Sequence, residues 1–156
     1  DGALEAPRPV RLLSDTGEDA YWKIYWHSYR ADGADRREAV TYHNQADGWY
    51  LLLPEEWEDH FTVRQNNISS AVHATTFYSV SGWTLGEELL TIYTLTGTDR
   101  ENQAAKSGRT ILRRRGETIY AISYASAYEN WRYAVDGDAI SESFKIITKQ
   151  LSMGEN

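Results

Sequence analysis

The most regular alternation of side-chain types lies in residues 21–29 (YWKIYWHSY). Strict alternation with aromatic and β-branched residues predicts a strand whose successive side chains point to opposite faces. One row is formed by Trp22, Ile24, Trp26 and Ser28, and the other by Tyr21, Lys23, Tyr25, His27 and Tyr29. We expect Trp22, Ile24 and Trp26 to face the core, which leaves the tyrosine-rich row on the opposite face.

Further strands are predicted by short apolar or β-branched runs that end at turn residues. Residues 39–44 (AVTYHN) follow a turn signal at Asp32-Gly33 and predict the return strand of a hairpin. Residues 49–53 (WYLLL) form a nearly continuous apolar run, which is typical of a strand buried on both faces. The other predicted strands are residues 61–64, broken at Asn66-Asn67, then 71–80 and 89–95, and finally 109–114 and 117–124, which form a hairpin across Arg115-Gly116.

Three segments carry helical signals. Pro54 suits the start of a short helical turn, from which Trp57 is expected to fold back onto the core. Thr98 and Glu101 have the spacing of a capping box, which predicts a short helix that ends at Gly108.

The third helical signal is the strongest. Apolar residues near the C-terminus recur at spacings of four, three and four, which places them on one helical face. These residues are Ile140, Phe144, Ile147 and Leu151. Asp138 is the expected N-cap of this helix, and Phe144 is expected to anchor the helix to a sheet.

These elements predict an α+β fold: an antiparallel β-sheet with a short mid-chain helix and a C-terminal amphipathic helix packed on it. Residues 20–156 are expected to form a single domain, since a chain of this length buries about 68–70% of its unfolded surface. Residues 1–19 contain prolines, Gly17 and several charges, and are expected to form an N-terminal arm or tether.

Composition narrows the possible functions. The net charge of −7 argues against a general nucleic-acid binder, and the absence of cysteine excludes a disulfide framework or a thiolate metal site. No run approaches the ~18 apolar residues that a membrane span needs. The chain begins at Asp1 and its only methionine is Met153, so we expect either that a signal or anchor segment was removed or that the domain was cut from a longer chain, extracytoplasmic or cytosolic. Contact with a membrane is expected only through such an N-terminal anchor.

Motifs that carry catalysis or bind cofactors are missing. The sequence has no phosphate-binding loop, dinucleotide fingerprint, zincin motif or nucleophile elbow. The four histidines, which are His27, His43, His60 and His73, lie far apart in different predicted elements. Zinc sites need three or four ligands, often with two close in sequence. We therefore predict no catalytic residue, no metal site and no cofactor.

The candidate ligand-binding residues are the second row of the first predicted strand: Tyr21, Lys23, Tyr25, His27 and Tyr29. Tyrosines in line present a flat amphipathic platform, which suits protein contacts and the stacking of sugar rings because the ring buries area while the hydroxyl stays hydrated. Two alternatives remain: a second layer covers this face, or the tyrosines only make cross-strand pairs.

Residues 48–63 (GWYLLLPEEWEDHFTV) resemble an element of extracytoplasmic, lipoprotein-type domains of Gram-positive bacteria, in which a strand runs into Leu-Pro-x-x-Trp and then a second strand. With residues 89–95 and 141–151 (SESFKIITKQL), the arrangement is also similar to the PsbP/Mog1-like fold, an antiparallel sheet flanked by helices. The resemblance covers residues 48–151 and implies a non-catalytic binding or assembly module. It carries over no functional residue, because Pro54 and Trp57 have structural explanations.

We therefore expect a non-catalytic extracytoplasmic domain of a secreted or lipid-anchored bacterial protein, which binds a protein, a peptide or a cell-wall carbohydrate. One alternative is a small hydrolase built from His43 or His73 with a carboxylate, and another is a structural spacer. An enzyme would show a deep pocket with convergent polar groups. A binding module would expose an apolar patch, and a spacer would show neither feature.

Overall fold

The computed structural model describes residues 4–13, 21–29 and 35–148, and of residues 4, 5, 29 and 35–38 it describes the backbone alone. The strands in these ranges are β1 (Leu4–Arg11), β2 (Trp22–Tyr29), β3 (Asp35–Asn44), β4 (Trp49–Leu52), β5 (Phe61–Ser69), β6 (Val72–Ser81), β7 (Thr84–Leu95), β8 (Arg109–Arg115), β9 (Thr118–Tyr124) and β10 (Phe144–Ile146). The helices are α1 (Arg100–Ala104), α2 (Ser126–Glu129) and α3 (Gly137–Ser143), with a 3₁₀ turn at Glu55–Trp57.

The described strands form two antiparallel sheets of five strands each. Sheet I has the order β1-β2-β3-β4-β10, and sheet II has the order β5-β6-β7-β9-β8. The chain divides into two compact units, one for each sheet. In the described ranges, the first unit holds residues 4–12, 21–29, 35–58 and 135–148, and the second holds residues 13 and 59–134.

The expectation of an α+β fold is wrong, because the described residues are mostly strand and their helices are short. The predicted C-terminal amphipathic helix is the main error. Helix α3 ends at Ser143, and Phe144 continues as strand β10 opposite Leu51 of β4. This segment is a strand because its backbone pairs with β4. Phe144 is buried and Lys145 is exposed, as the alternation of a strand requires. Beyond the strand, Ile147 N–H donates to the Gly48 carbonyl at 2.8 Å. Leu151 lies outside the described residues.

Both predicted helix starts are displaced. The N-cap of α3 is Asp136, whose carboxylate accepts a 2.8 Å hydrogen bond from Ala139 N–H, so the assignment to Asp138 is wrong. Helix α1 is capped by Asp99 rather than Thr98 and ends at Ala104, short of the expected end at Gly108. The Asp99 carboxylate accepts bonds from the side chains of the helix instead of its backbone.

Most predicted strands are confirmed. The hairpins β2–β3 and β8–β9 pair as expected, and the 3₁₀ turn after Pro54 carries a fully buried Trp57. Strand β5 does not break at Asn66-Asn67 but continues through a register shift to Ser69. Strand β4 is buried on one face only, since Leu52 is 38% exposed. Strand β1 lies within residues 1–19, the segment assigned to an arm, and pairs with β2 along its length.

Each unit has its own aromatic and aliphatic core. In the first unit, the Trp49 ring packs between Tyr42 and Phe144, with centroids 5.7 Å and 5.6 Å away. In the second unit, the rings of Phe61 and Phe77 stack at 5.8 Å. A further cluster in the second unit joins α1 to sheet II and consists of Val72, Leu95, Ala104, Ile119 and Ala121.

Among the described residues, no helix has the length and apolar character needed to span a membrane.

Candidate functional site

Strand β2 lies in sheet I with the opposite orientation to the one expected. Lys23 stands opposite Tyr42 on β3, and Tyr42 stands opposite Leu51 on β4. Directly opposite residues share a face of the sheet. Tyr42 and Leu51 are core residues, and the Lys23 side chain is itself only 4% exposed. The row that contains Lys23 therefore shares the face of the buried core.

The predicted ligand-binding row makes contacts inside the first unit. Lys23 Nζ donates to the Glu58 carbonyl at 2.9 Å, and Tyr25 Oη donates to the Glu58 carboxylate at 3.3 Å. Tyr21 is half-buried and its carbonyl accepts a bond from backbone N–H of Leu12. His27 is also half-buried, and the structure describes Tyr29 by its backbone alone. Ligand binding by this row stays a prediction.

The prediction that Trp22, Ile24 and Trp26 form the core is wrong. Trp22 is 47% exposed, and the other two are half-buried. Alternation separates two rows of side chains but does not say which row is covered. Here both rows are rich in aromatic residues, and a lysine stem can be buried when its ammonium finds an acceptor. That acceptor, the carbonyl of Glu58, lies far along the chain.

The open side of sheet I carries connected aromatic rings. His43 stacks on Tyr50 with ring centroids 4.8 Å apart and planes 9° apart, and the Trp26 ring lies 6.4 Å from His43. The register places Trp22 and Leu52 on the same side as these rings. We call this surface the outer aromatic face; its residues are Trp22, Trp26, His43, Tyr50 and Leu52.

A buried hydroxyl orders the centre of the outer aromatic face. Thr41 Oγ1 accepts a 2.9 Å hydrogen bond from Trp26 Nε1 and lies 3.0 Å from His43 Nε2. These bonds hold the indole and the imidazole on either side of one threonine. Burial lowers the pKa of the His43 imidazole and so favours the neutral form of the ring.

Exposed cations stand at both edges of the outer aromatic face. Arg11 of β1 lies opposite Trp22, and Lys145 of β10 lies opposite Tyr50. Two exposed prolines, Pro7 and Pro9, occupy the same side of β1, an edge strand in which proline is tolerated. Among the strand residues with described side chains, none on this face is acidic, and the exposed Glu55 of the 3₁₀ turn lies beside Leu52 at a pocket of the first unit.

The outer aromatic face could be predicted from the sequence only if the pairing of β2, β3 and β4 were known. His43 follows the core residue Tyr42, and Tyr50 precedes the core residue Leu51. Because side chains alternate along a strand, this pattern indicates that His43 and Tyr50 point away from the core. The other histidine of the hydrolase alternative, His73, lies on β6 in the second unit. In the described ranges, no group of three or more His, Asp or Glu side chains is placed to hold a metal ion.

Comparison with protein-family models, with curated proteins and with solved structures gives no match for this chain. The resemblance to lipoprotein-type domains and to the PsbP/Mog1-like fold therefore stays a prediction.

Proposed function

We propose that this chain is a non-catalytic binding domain that holds an acidic protein partner on its outer aromatic face. The observation that carries the proposal is the connected set of Trp26, His43 and Tyr50 rings on a side of sheet I where Trp22 is 47% exposed. Tryptophan and tyrosine dominate the binding energy of protein interfaces, and exposed apolar patches mark interaction sites.

The charges at the edges select the partner. Arg11 and Lys145 flank the aromatic residues, while the chain as a whole carries a net charge of −7. A partner with carboxylates around an apolar centre is attracted by the two cations of this face, although the net charge of the whole chain is negative. Such complementarity raises the association rate and makes binding sensitive to salt.

The chemistry of the face favours binding over catalysis. Its titratable ring, His43, is half-buried, stacked on Tyr50 and next to the Thr41 hydroxyl. A general acid or base works within hydrogen-bond reach of a substrate, beside groups that stabilise developing charge. The hydrogen bond and stack of His43 instead hold its ring in place between Thr41 and Tyr50. The resemblance at residues 48–63 supports an extracytoplasmic location, which forms part of the same proposal.

The test compares one double variant with a matched control. Proteins captured on the immobilised chain are purified, and each is titrated one-to-one against wild type, Trp22→Ser/Leu52→Ser and Trp83→Ser. Trp83 lies in the second unit and is 91% exposed, so its variant controls for loss of a surface tryptophan. A true partner binds wild type and Trp83→Ser equally, and the double variant about tenfold or more weakly.

Salt supplies the second readout, since raising the ionic strength should weaken binding to wild type. The proposal fails if no captured protein loses affinity for the double variant, or if Trp83→Ser loses as much.

A further inference from the structure

The second unit contains an open cleft of about 370 Å³ at one end of sheet II. One wall is the end of the β6–β7 hairpin, and the other is the segment that follows α2. The volume lies within the range of small-molecule sites, which begins at roughly 300 Å³. The cleft is separate from the outer aromatic face, which belongs to the first unit.

Aromatic rings form one wall of the cleft. The His60 and Tyr133 rings stack with centroids 3.9 Å apart and planes 8° apart. The Trp131 ring meets Tyr133 edge-on, with centroids 5.6 Å apart and planes at 74°. Buried Tyr128 of α2 supports Trp131 from behind at 6.2 Å. The Trp131 and Tyr133 rings therefore form a corner, and the rings of Tyr128 and His60 pack against them.

The backbone holds these rings in place. Trp131 N–H donates to the Tyr128 carbonyl and Ala134 N–H donates to the Trp131 carbonyl, each at 3.1 Å, so two successive turns follow α2. The His60 carbonyl accepts from Val80 N–H at 2.9 Å, which ties the start of β5 to the hairpin wall. The aromatic corner is thus connected through His60 to β6, one strand of the hairpin wall.

Hydroxyls and a glycine form the facing wall. Ser79, Ser81 and Thr84 line the cleft beside Leu85. A side chain at Gly86 would collide with the Ser79 hydroxyl, which accepts a 3.0 Å bond from Glu87 N–H. The register of β6 and β7 shifts at this point, and such bulges redirect side chains near binding sites.

The residues lining the cleft include no Asp, Glu, Lys or Arg. The Arg132 guanidinium lies 5.8 Å from the centroid of the Tyr133 ring and already has that ring as a partner. A cationic ligand would meet no carboxylate in the lining, whereas an uncharged ring would find aromatic rings on one side and hydroxyls on the other. Sugars have this combination, because their ring faces are apolar and their edges carry hydroxyls. We propose that the cleft binds a neutral saccharide, with a sugar ring against Trp131 and its hydroxyls toward Ser81 and Thr84.

The competing ligand is a quaternary ammonium, which aromatic cages recognise through the faces of their rings. A cage needs several ring faces directed at one point. Here His60 and Tyr133 direct faces at each other, which leaves a corner and not a cage. The geometry therefore favours the sugar, and choline serves as the discriminating probe.

The experiment is an NMR titration of the ¹⁵N-labelled chain. Its six tryptophans give one indole N–H signal each, and Trp131→Phe and Trp22→Phe assign two of them. The probes are neutral disaccharides (cellobiose, maltose, lactose and N,N′-diacetylchitobiose), galacturonate as an anionic sugar, and choline chloride. We expect at least one neutral disaccharide to shift the Trp131 signal saturably and to leave the Trp22 signal unchanged, with no saturable shift from choline.

Variants then test the two walls. Trp131→Ala should weaken binding about tenfold or more, and the nearly isosteric Thr84→Val should weaken it several-fold while the spectrum stays that of the folded chain. Trp22→Phe is the control and should bind as wild type does. Unchanged affinity in Thr84→Val, saturation by choline or galacturonate alone, or no Trp131 shift with any neutral disaccharide would overturn the proposal. Because Trp22→Ser/Leu52→Ser leaves this cleft intact, the two proposals can fail separately.

Discussion

Lys23 Nζ donates a 2.9 Å hydrogen bond to the backbone carbonyl of Glu58, the residue that follows the 3₁₀ turn. The ammonium also lies 5.3 Å from the centroid of the Tyr25 ring. A lysine that is 4% exposed needs such partners, since an unpaired buried charge is expensive. This bond therefore stabilises the orientation in which the Lys23 row of β2 shares the core face and Trp22 lies on the opposite side.

Replacing Lys23 by methionine tests this relationship. Methionine keeps an unbranched apolar stem but cannot donate to the Glu58 carbonyl. Hydrogen bonds to charged groups contribute roughly 1.5–3 kcal/mol, so Lys23→Met should lower the free energy of unfolding by about that amount. Denaturant titration followed by fluorescence gives the value. Lys145→Met, at an exposed lysine of the same sheet, is the control and should change it by less than about 0.5 kcal/mol. An equal effect of the two variants would contradict the role of Lys23.

A pair of aromatic deletions tests the orientation of sheet I. Phe144 is fully buried against Trp49, and Phe144→Ala should cost about 3–5 kcal/mol of stability. Trp22 is 47% exposed, so Trp22→Ala should cost about 1 kcal/mol or less. Chemical denaturation of both variants under one condition gives the comparison. If Trp22→Ala proves as costly as Phe144→Ala, the tryptophan row faces the core after all.

Stability should fall in acid partly through His43. Burial lowers the pKa of its imidazole in the folded chain, while the unfolded chain takes up this proton near pH 6.5. Below that pH the unfolded state binds more protons, so stability decreases as the pH falls from 6.5 toward the folded pKa and the loss then levels off.

The measurement is the free energy of unfolding from about pH 8 to about pH 5, for wild type and His43→Gln. Carboxylates contribute to both proteins, so the difference between the two curves isolates the imidazole. That difference should shrink as the pH falls. Parallel curves over the whole range would show that His43 titrates alike in both states.

The positions of single strands and turns could be predicted from the sequence because they depend on residues that are neighbours in the chain. The alternation in residues 21–29 is enough for strand β2, and Pro54 is enough to end β4. Phe144 shows where such reasoning stops. Its spacing from Ile140 fits a helix, but β4 offers backbone partners along the chain from Trp49 to Leu51, and pairing with that strand prevails.

The candidate sites were beyond prediction for a related reason. The correct side of β2 depends on Glu58, and the ring contacts of the outer aromatic face join residues on three strands. In the second unit, His60 and Tyr133 meet only because the fold brings distant segments together. Tertiary contacts of this kind leave no periodic signal in the chain.

The glycine in the cleft wall gives a prediction about packing. A Cβ at position 86 would collide with the Ser79 hydroxyl, although Glu87 N–H holds that hydroxyl in place at 3.0 Å. Gly86→Ala should therefore cost about 1–3 kcal/mol, as inserting a methyl into a filled space does elsewhere. The loss is measured by denaturant titration, with Gly82→Ala as a second glycine variant. Gly82 has open space around its Cβ position but a φ of +60°, so its cost reflects backbone strain alone.

Removing the hydroxyl separates steric conflict from loss of glycine flexibility. In Ser79→Ala/Gly86→Ala the atom that obstructs the new methyl is gone, although the Ser79 carbonyl still lies 3.0 Å from the Cβ position. Ser79→Ala alone loses the bond from Glu87 and should cost about 1 kcal/mol. If collision is the cause, the double variant should be destabilised by clearly less than the sum of the two single changes. Additivity within about 0.5 kcal/mol would instead assign the cost of Gly86→Ala to the backbone, and the hydroxyl would then have no part in shaping the wall.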